Sequence, residues 1–341
     1  MISNNINNIN NLNNLNNVKN IDNSKNKIIN SVCHCKTSLQ WKKLEVIMLD
    51  PCEHLIHKKC FESLNTDSCP FCKTKVTLIV RLRDYKKNPN LFQKCVDILS
   101  QTNTDELMKI SYDDAILNIP EIILTTVRSA ISKGTDEGHK LIKDLLKTAN
   151  VKIKVSGLEK IKKGPKVFIA NHTCYLDFMA IFYVLKTGFA SSSTIKNNPL
   201  TEKISKIVPT YFIEIGKSSN AVKGMKKYIE DNGSICLFPE GMFSHNITLT
   251  RFRTGAFYIG YPVYPIVLKY KNYMSDTSLF DFVLKTHSEK SECIEFTVLD
   301  PFYPPFDEKK IELVRFAMAE AGKLLIARTS NRDVNNTKNK K

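Results

Sequence analysis

Between Cys33 and Cys72 the chain spaces cysteine and histidine in a way that few folds can use. Residues 31–80 hold six of the ten cysteines and three of the seven histidines. The order is Cys33, Cys35, then Cys52, His54, His57 and Cys60, then Cys69 and Cys72. Neighbours one or two residues apart suit a tetrahedral ion, because one turn of chain presents two sulfur or imidazole ligands to the same centre. A segment of about 45 residues buries too little apolar surface to hold itself together. Metal would therefore supply much of its folding free energy, and two structural zinc ions are the expected cofactors.

Compartment supports ligands over disulfides. No apolar run reaches the roughly 18–20 residues that cross a bilayer, so no transmembrane helix is expected. The N-terminus is polar and does not read as a secretory signal. A cytoplasmic, reducing setting follows, in which cysteines stay thiols or bind metal.

Eight ligands in four pairs, with a Cys-His-His-Cys centre, resemble a RING finger of the two-histidine type over about residues 32–75. The resemblance implies cross-braced wiring, with Cys33, Cys35, His57 and Cys60 on one zinc and Cys52, His54, Cys69 and Cys72 on the other. One departure stands out: the first pair is Cys33-His34-Cys35, with one intervening residue where two are usual, so His34 is a rival ligand. The resemblance also implies a ubiquitin-conjugating enzyme as partner, met by Leu64 and Pro70, with Lys73 as the basic residue beside the loaded ubiquitin. A zinc module used only for protein contacts is the other reading of these residues.

The rest of the chain divides by composition. Residues 1–30 are Asn-rich with apolar residues three apart, and disorder is expected, since Asn forms helix and strand poorly. Residues 31–80 are the zinc finger. Residues 81–149 read as helical, in the runs 90–99, 110–119, 120–131 and 136–148. In the last run Leu141, Ile142, Leu145 and Leu146 lie opposite Lys140, Lys143 and Lys147, the pattern of a helix docked on a neighbour or lying in a membrane interface. From 150 to 330 short β-rich runs at 151–155, 166–170, 191–195, 210–215, 234–238, 262–268 and 294–299 alternate with helical stretches. That alternation predicts an α/β fold, a mainly parallel twisted sheet covered by helices. Residues 331–341 form a basic tail.

A net charge of +16 and a pI near 9.3 bias partners toward anions. An anionic membrane surface and phosphorylated small molecules fit. Nucleic acid is not expected, because no recognition motif or aromatic interleaving accompanies the charge. Lys160, Lys162, Lys163 and Lys166 form a basic run that suits a solvated face, with phosphates or acidic lipid as alternatives.

The candidate chemistry starts at Lys166–Ala170, followed by Asn171-His172 and Asp177. His172 and Asp177 are five apart, about 140° round an ideal helix. They meet only if His172 precedes a helix whose first turns hold Asp177. A carboxylate on one imidazole nitrogen would leave the other to take a proton from a hydroxyl. Downstream come Phe238-Pro239-Glu240-Gly241, Phe252-Arg253-Thr254-Gly255-Ala256-Phe257 and Val263-Tyr264-Pro265-Ile266-Val267. In this order the four motifs resemble the glycerolipid acyltransferase family, the lysophosphatidate and glycerol-phosphate acyltransferases, across about residues 150–330.

The resemblance implies an acyl-CoA-dependent O-acyltransferase acting on a lysophospholipid, 1-acyl-glycerol-3-phosphate foremost, from the cytosolic face of a membrane. His172 and Asp177 would be catalytic, with Glu240 and Gly241 on the acceptor. The family's phosphate-binding arginine has Lys217 in its place, and Arg253 is a further candidate cation. Cys174, close to His172, offers a rival reading as a nucleophile. The contrasting reading of the whole chain is a membrane-associated RING ubiquitin ligase whose acyltransferase fold only binds lipid.

Overall fold

A computed structural model describes residues 20–22, 27–29, 33–36, 44–86, 88–99, 134–148, 150–193, 207–214, 218–271 and 292–333, with single positions 39, 196 and 205. The expected helical runs 110–119 and 120–131, the tail from 334 and most of the Asn-rich segment lie outside these residues. Within that segment β1 (Asn20–Asp22) and β2 (Lys27–Ile29) pair antiparallel, where disorder was expected.

The zinc-finger segment is a small sheet with one short helix. Strand β3 (Val46–Asp50) is central, paired antiparallel with β4 (His54–His57) and β5 (Leu78–Arg81). Helix α1 (Lys58–Ser63) follows β4 directly. Val46, Ile47, Met48, Leu49, Leu55 and Ile56 are buried, so the segment adds an apolar core to whatever the metal supplies. Helix α2 (Pro89–Leu99) buries Phe92, Cys95, Val96 and Leu99.

The larger unit is built on seven strands: β6 (Val151–Ser156), β7 (Lys166–Ala170), β8 (Gly188–Ser192), β9 (Thr210–Ile213), β10 (Ser234–Leu237), β12 (Val263–Tyr270) and β13 (Glu292–Val298). Their order is β6-β13-β12-β7-β10-β8-β9. Every neighbouring pair is parallel except β12 with β13. A short pair, β11 (Thr248–Leu249) and β14 (Leu325–Ile326), lies apart. The mainly parallel sheet predicted from the alternation is present. Strand β8 starts three residues before its expected position, because the chain leaves the preceding helix through Lys186 in the left-handed region and Phe189 then fills the core.

Strand β7 shows why its sequence is apolar throughout. Val167, Phe168, Ile169 and Ala170 are all buried, as a central parallel strand covered on both faces requires. Val167 and Ile169 join the core of α5 (Ser218–Asn232) and α6 (Glu308–Gly322), with Met225, Ile229, Val314 and Met318. Phe168 and Ala170 join the opposite core with α3 (Thr135–Thr148) and α4 (Leu176–Leu185). Of the two readings of α3, the docked one is what the structure shows: Leu141, Ile142 and Leu146 are buried against that core. No described helix is long and apolar enough to cross a membrane.

Candidate active site and zinc centres

The site forms where β7, β10 and β12 release the chain at their C-terminal ends. β7 ends at Ala170, and Asn171 locks the exit by donating to the Leu268 carbonyl at 2.9 Å and accepting from the Leu268 N–H at 2.8 Å. His172 then lies before α4 and Asp177 in its first turn, as the five-residue spacing demands. Nδ1 of His172 is 2.8 Å from Oδ2 of Asp177. The same Oδ2 accepts from the Cys174 N–H at 2.9 Å and the Thr173 N–H at 2.5 Å, while Oδ1 accepts from the Tyr270 hydroxyl. Asp177 has no solvent exposure, whereas the His172 side chain keeps 18%.

Aromatic rings bracket the imidazole. Phe238 stacks on it with centroids 3.8 Å apart and planes 10° from parallel, and Phe243 leans on it at 4.3 Å. Tyr175 meets Phe243 edge-on. These rings hold the imidazole plane.

Glu240 is fully buried at the end of β10. One oxygen accepts the His172 backbone N–H at 2.9 Å, and the other accepts the Thr250 N–H at 2.9 Å and the Thr250 hydroxyl at 2.8 Å. Burial holds its carboxyl above the ordinary carboxylate range, and these donors offset only part of that rise. Ser244 N–H closes the loop onto the His172 carbonyl at 2.7 Å. The loop holding Phe-Pro-Glu-Gly therefore fixes the backbone that carries the candidate base. Gly241 is required at its own position: φ is +68°, and a Cβ there would stand 2.7 Å from Nε of Arg253.

Arg253 lies across this loop. Its N–H donates to the Pro239 carbonyl at 2.7 Å and its guanidinium to Asn331, whose amide reaches the Gly241 carbonyl at 2.7 Å. Lys217 lies outside the described residues. The Lys160–Lys166 run enters β7 at its N-terminal end, about 16 Å of strand away from the His172 end. There Lys160 pairs with Asp300 at 3.7 Å and Lys162 sits over the Tyr303 ring. That position counts against a role for the run in holding phosphates beside His172. Cys174 is buried and held in the turn under Asp177, a place for packing rather than attack.

The zinc ligands gather into two groups, Cys33, Cys35, His57 and Cys60, and Cys52, His54, Cys69 and Cys72. In each, the ligand atoms lie within 4.8 Å of one another. This is the interleaved order that the resemblance implied, with His34 outside both groups. Three thiols and one imidazole suit tetrahedral zinc, which holds its sulfur ligands at about 2.3 Å. Burial foremost, with the neighbouring Cys69 and Cys72 thiols, pushes the Cys52 thiol up to about 12, so thiolates crowd this closely only around a cation. Of the residues expected to meet a conjugating enzyme, Leu64 and Pro70 are half-buried and Lys73 is exposed, beside Phe71 at 36% exposure.

Sequence reasoning did not find Tyr270, Phe238, Phe243, Ser244, Thr250 or Asn331 as parts of the site. Phe238 and Ser244 lay in or beside quoted motifs, but no spacing reveals which ring stacks on His172. Tyr270 lies two residues past the run expected at 262–268, and the observed strand extends to include it.

Residues 152–269 match the Acyltransferase family model, and residues 32–79 match Prokaryotic RING finger family 4. A lysophospholipid acyltransferase of Arabidopsis thaliana is 27% identical over 183 residues, 48% of this chain and 46% of that protein. A 1-acyl-sn-glycerol-3-phosphate acyltransferase of Saccharomyces cerevisiae is 27% identical over 128 residues, 34% of this chain and 42% of that protein. The chain thus spans less than half the length of these curated relatives. Among solved structures, the 1-acyl-sn-glycerophosphate acyltransferase of Thermotoga maritima aligns with 60% of this chain and 88% of its own at 15% identity and a TM-score of 0.40, too distant to bear on function.

Proposed function

We propose that this chain, an acyltransferase-family domain behind a RING-type zinc finger, moves an acyl group from acyl-CoA to the free hydroxyl of a lysophospholipid, with 1-acyl-glycerol-3-phosphate as the preferred acceptor. The contact of His172 Nδ1 with a fully buried Asp177 carries this reading. Asp177 holds the Nδ1–H tautomer, so Nε2 is the basic nitrogen. Nε2 takes the proton from the acceptor hydroxyl as its oxygen attacks the thioester carbonyl. The tetrahedral intermediate collapses, the carbon–sulfur bond breaks, and the imidazolium returns its proton to the departing thiolate. Products are the ester and free CoA. Glu240 acts as a positioning residue through the His172 backbone, and Arg253 offers the acceptor phosphate a cation beside Gly241.

CoA release with a panel of lysophospholipids and glycerol phosphate tests this. Replacement His172→Ala is expected to lower release by about a thousandfold, the usual worth of a general base. Equal, background release from wild type and variant across the panel refutes the proposal. The enzyme is expected to act from the cytosolic face of an anionic membrane, and co-sedimentation with phosphatidylserine vesicles checks that.

A second reading concerns the zinc finger. Phe71, between the last two ligands, is 36% exposed, and Leu78 and Ile79 are exposed on β5. Such an apolar surface favours a ubiquitin-conjugating enzyme as partner and a ligase activity beside the transferase. Faster discharge of a loaded conjugating enzyme that is lost in Phe71→Ala supports it; discharge at the uncatalysed rate refutes it.

A further inference from the structure

Asp177 is bound from two sides. The turn that carries His172 supplies backbone donors to Oδ2, and β12, a different element, supplies the Tyr270 hydroxyl to Oδ1. Tyr270 is the last residue of its strand and only 6% exposed, with its ring in the core shared by α3 and α4. A phenol at that depth needs a partner, and Oδ1 of Asp177 accepts from it, with the Cys174 thiol also beside the hydroxyl.

We propose that Tyr270 is a positioning residue for acyl transfer, setting the Asp177 carboxylate and, through it, the basicity of His172. The inference rests on the transfer reading above. Two physical consequences follow from a donor on Oδ1. It fixes the carboxylate plane, so that Oδ2 faces Nδ1. It also draws negative charge away from Oδ2, the atom that faces Nδ1. The titratable groups facing this pair are Tyr270 from β12, Cys174 from the turn, Cys236 from β10 and Glu240 beyond it. Cys174 and Cys236 are buried thiols, and Glu240 meets the backbone of His172 rather than its ring.

The test is the variant Tyr270→Phe, which removes one oxygen from the chain and keeps the ring. With acyl-CoA and lysophosphatidate, kcat is expected to fall about tenfold and KM to stay within about twofold, the pattern of a lost hydrogen bond to a charge that matters in the transition state. The acid limb of the pH profile and the NMR titration midpoint of the His172 ring should both move up by about half to one unit. In an Asp177→Asn background the same replacement should leave the His172 midpoint unmoved.

An unchanged midpoint in Tyr270→Phe overturns the proposal, and so does an equal shift in both backgrounds. Where Tyr270→Phe does not accumulate as folded protein, 3-fluorotyrosine at position 270 supplies a stronger donor and should lower the midpoint; no shift again overturns it. The titration needs no substrate. A wild-type chain inert with every acyl donor therefore refutes the transfer reading alone, while the midpoints still decide the role of Tyr270.

Discussion

A buried carboxyl group needs donors around it, and both Asp177 and Glu240 have them beside His172. Glu240→Ala strands the N–H of His172 and both donors of Thr250 in a buried place. It should cost about 2–3 kcal/mol of stability, read from urea midpoints, and lower kcat more than it raises KM. His245, four residues after Gly241, carries the acid sensitivity of this loop. Burial holds its imidazole down to about 4. The unfolded chain takes up that proton near 6.5. Between these values protons bind the unfolded chain more readily, so stability falls as pH drops from about 6.5 toward 4. His245→Asn, which keeps an acceptor for the Ile247 N–H, should flatten that slope; urea midpoints at pH 4.5 and 6.5 that differ as much as in wild type would refute it. At this scale the sequence was legible where chemistry is rare. His172 and Asp177 could be paired once the downstream motifs were set beside a spacing that is weak alone. Tyr270 and Phe238 could not, because an aromatic at a strand end looks the same whether it fills a core or holds a base.

The elements were legible where a single period ruled and less so where tertiary packing set the limits. Strand β7 reads directly from its unbroken apolar run, and α3 from one apolar face. What covers that face is not encoded in its period, which is why membrane contact stayed open as the alternative to a docked α3. The structure decides it through the small residue Gly138. A Cβ at Gly138 would stand 2.3 Å from the Ile207 carbonyl oxygen, so α3 approaches its neighbour as closely as backbone allows. His139 then stacks on Tyr183 and meets its carbonyl at 2.9 Å, fastening α3 to α4. Gly138→Ala should push the helix outward and cost about 1–3 kcal/mol, with faster amide exchange across residues 141–147. Exchange and urea midpoint both unchanged would show that α3 does not depend on this contact.

For the whole molecule, the ligand spacing announced a zinc finger but not that it leans on the acyltransferase domain. Its buried residues belong to the same continuous core as Val167, Ile169, Val314 and Met318. Polar contacts among the described residues join them: the Leu44 N–H meets Glu320 at 3.3 Å, and the Tyr85 hydroxyl, just after β5, meets Asp307 at 3.3 Å. Asp307 also caps α6 by accepting the Lys310 N–H at 2.7 Å, so one end of a major helix touches both units. No periodicity reveals such an interface, because each side reads as ordinary core. Two ligand groups imply about two zinc ions per chain by metal analysis, and a thiol-to-hydroxyl change at Cys35 should bring that to about one. Stripping both ions should unfold the finger, since its small core cannot stand alone. The shared core then loses one wall, so the acyltransferase domain should melt several degrees lower, as a loss of about 1–2 kcal/mol does in a domain of this size. Circular dichroism with and without chelator reads both events. A finger that keeps its structure without metal, or a larger unit whose melting ignores the chelator, would show that the ions, or the contact between the units, carry none of that stability.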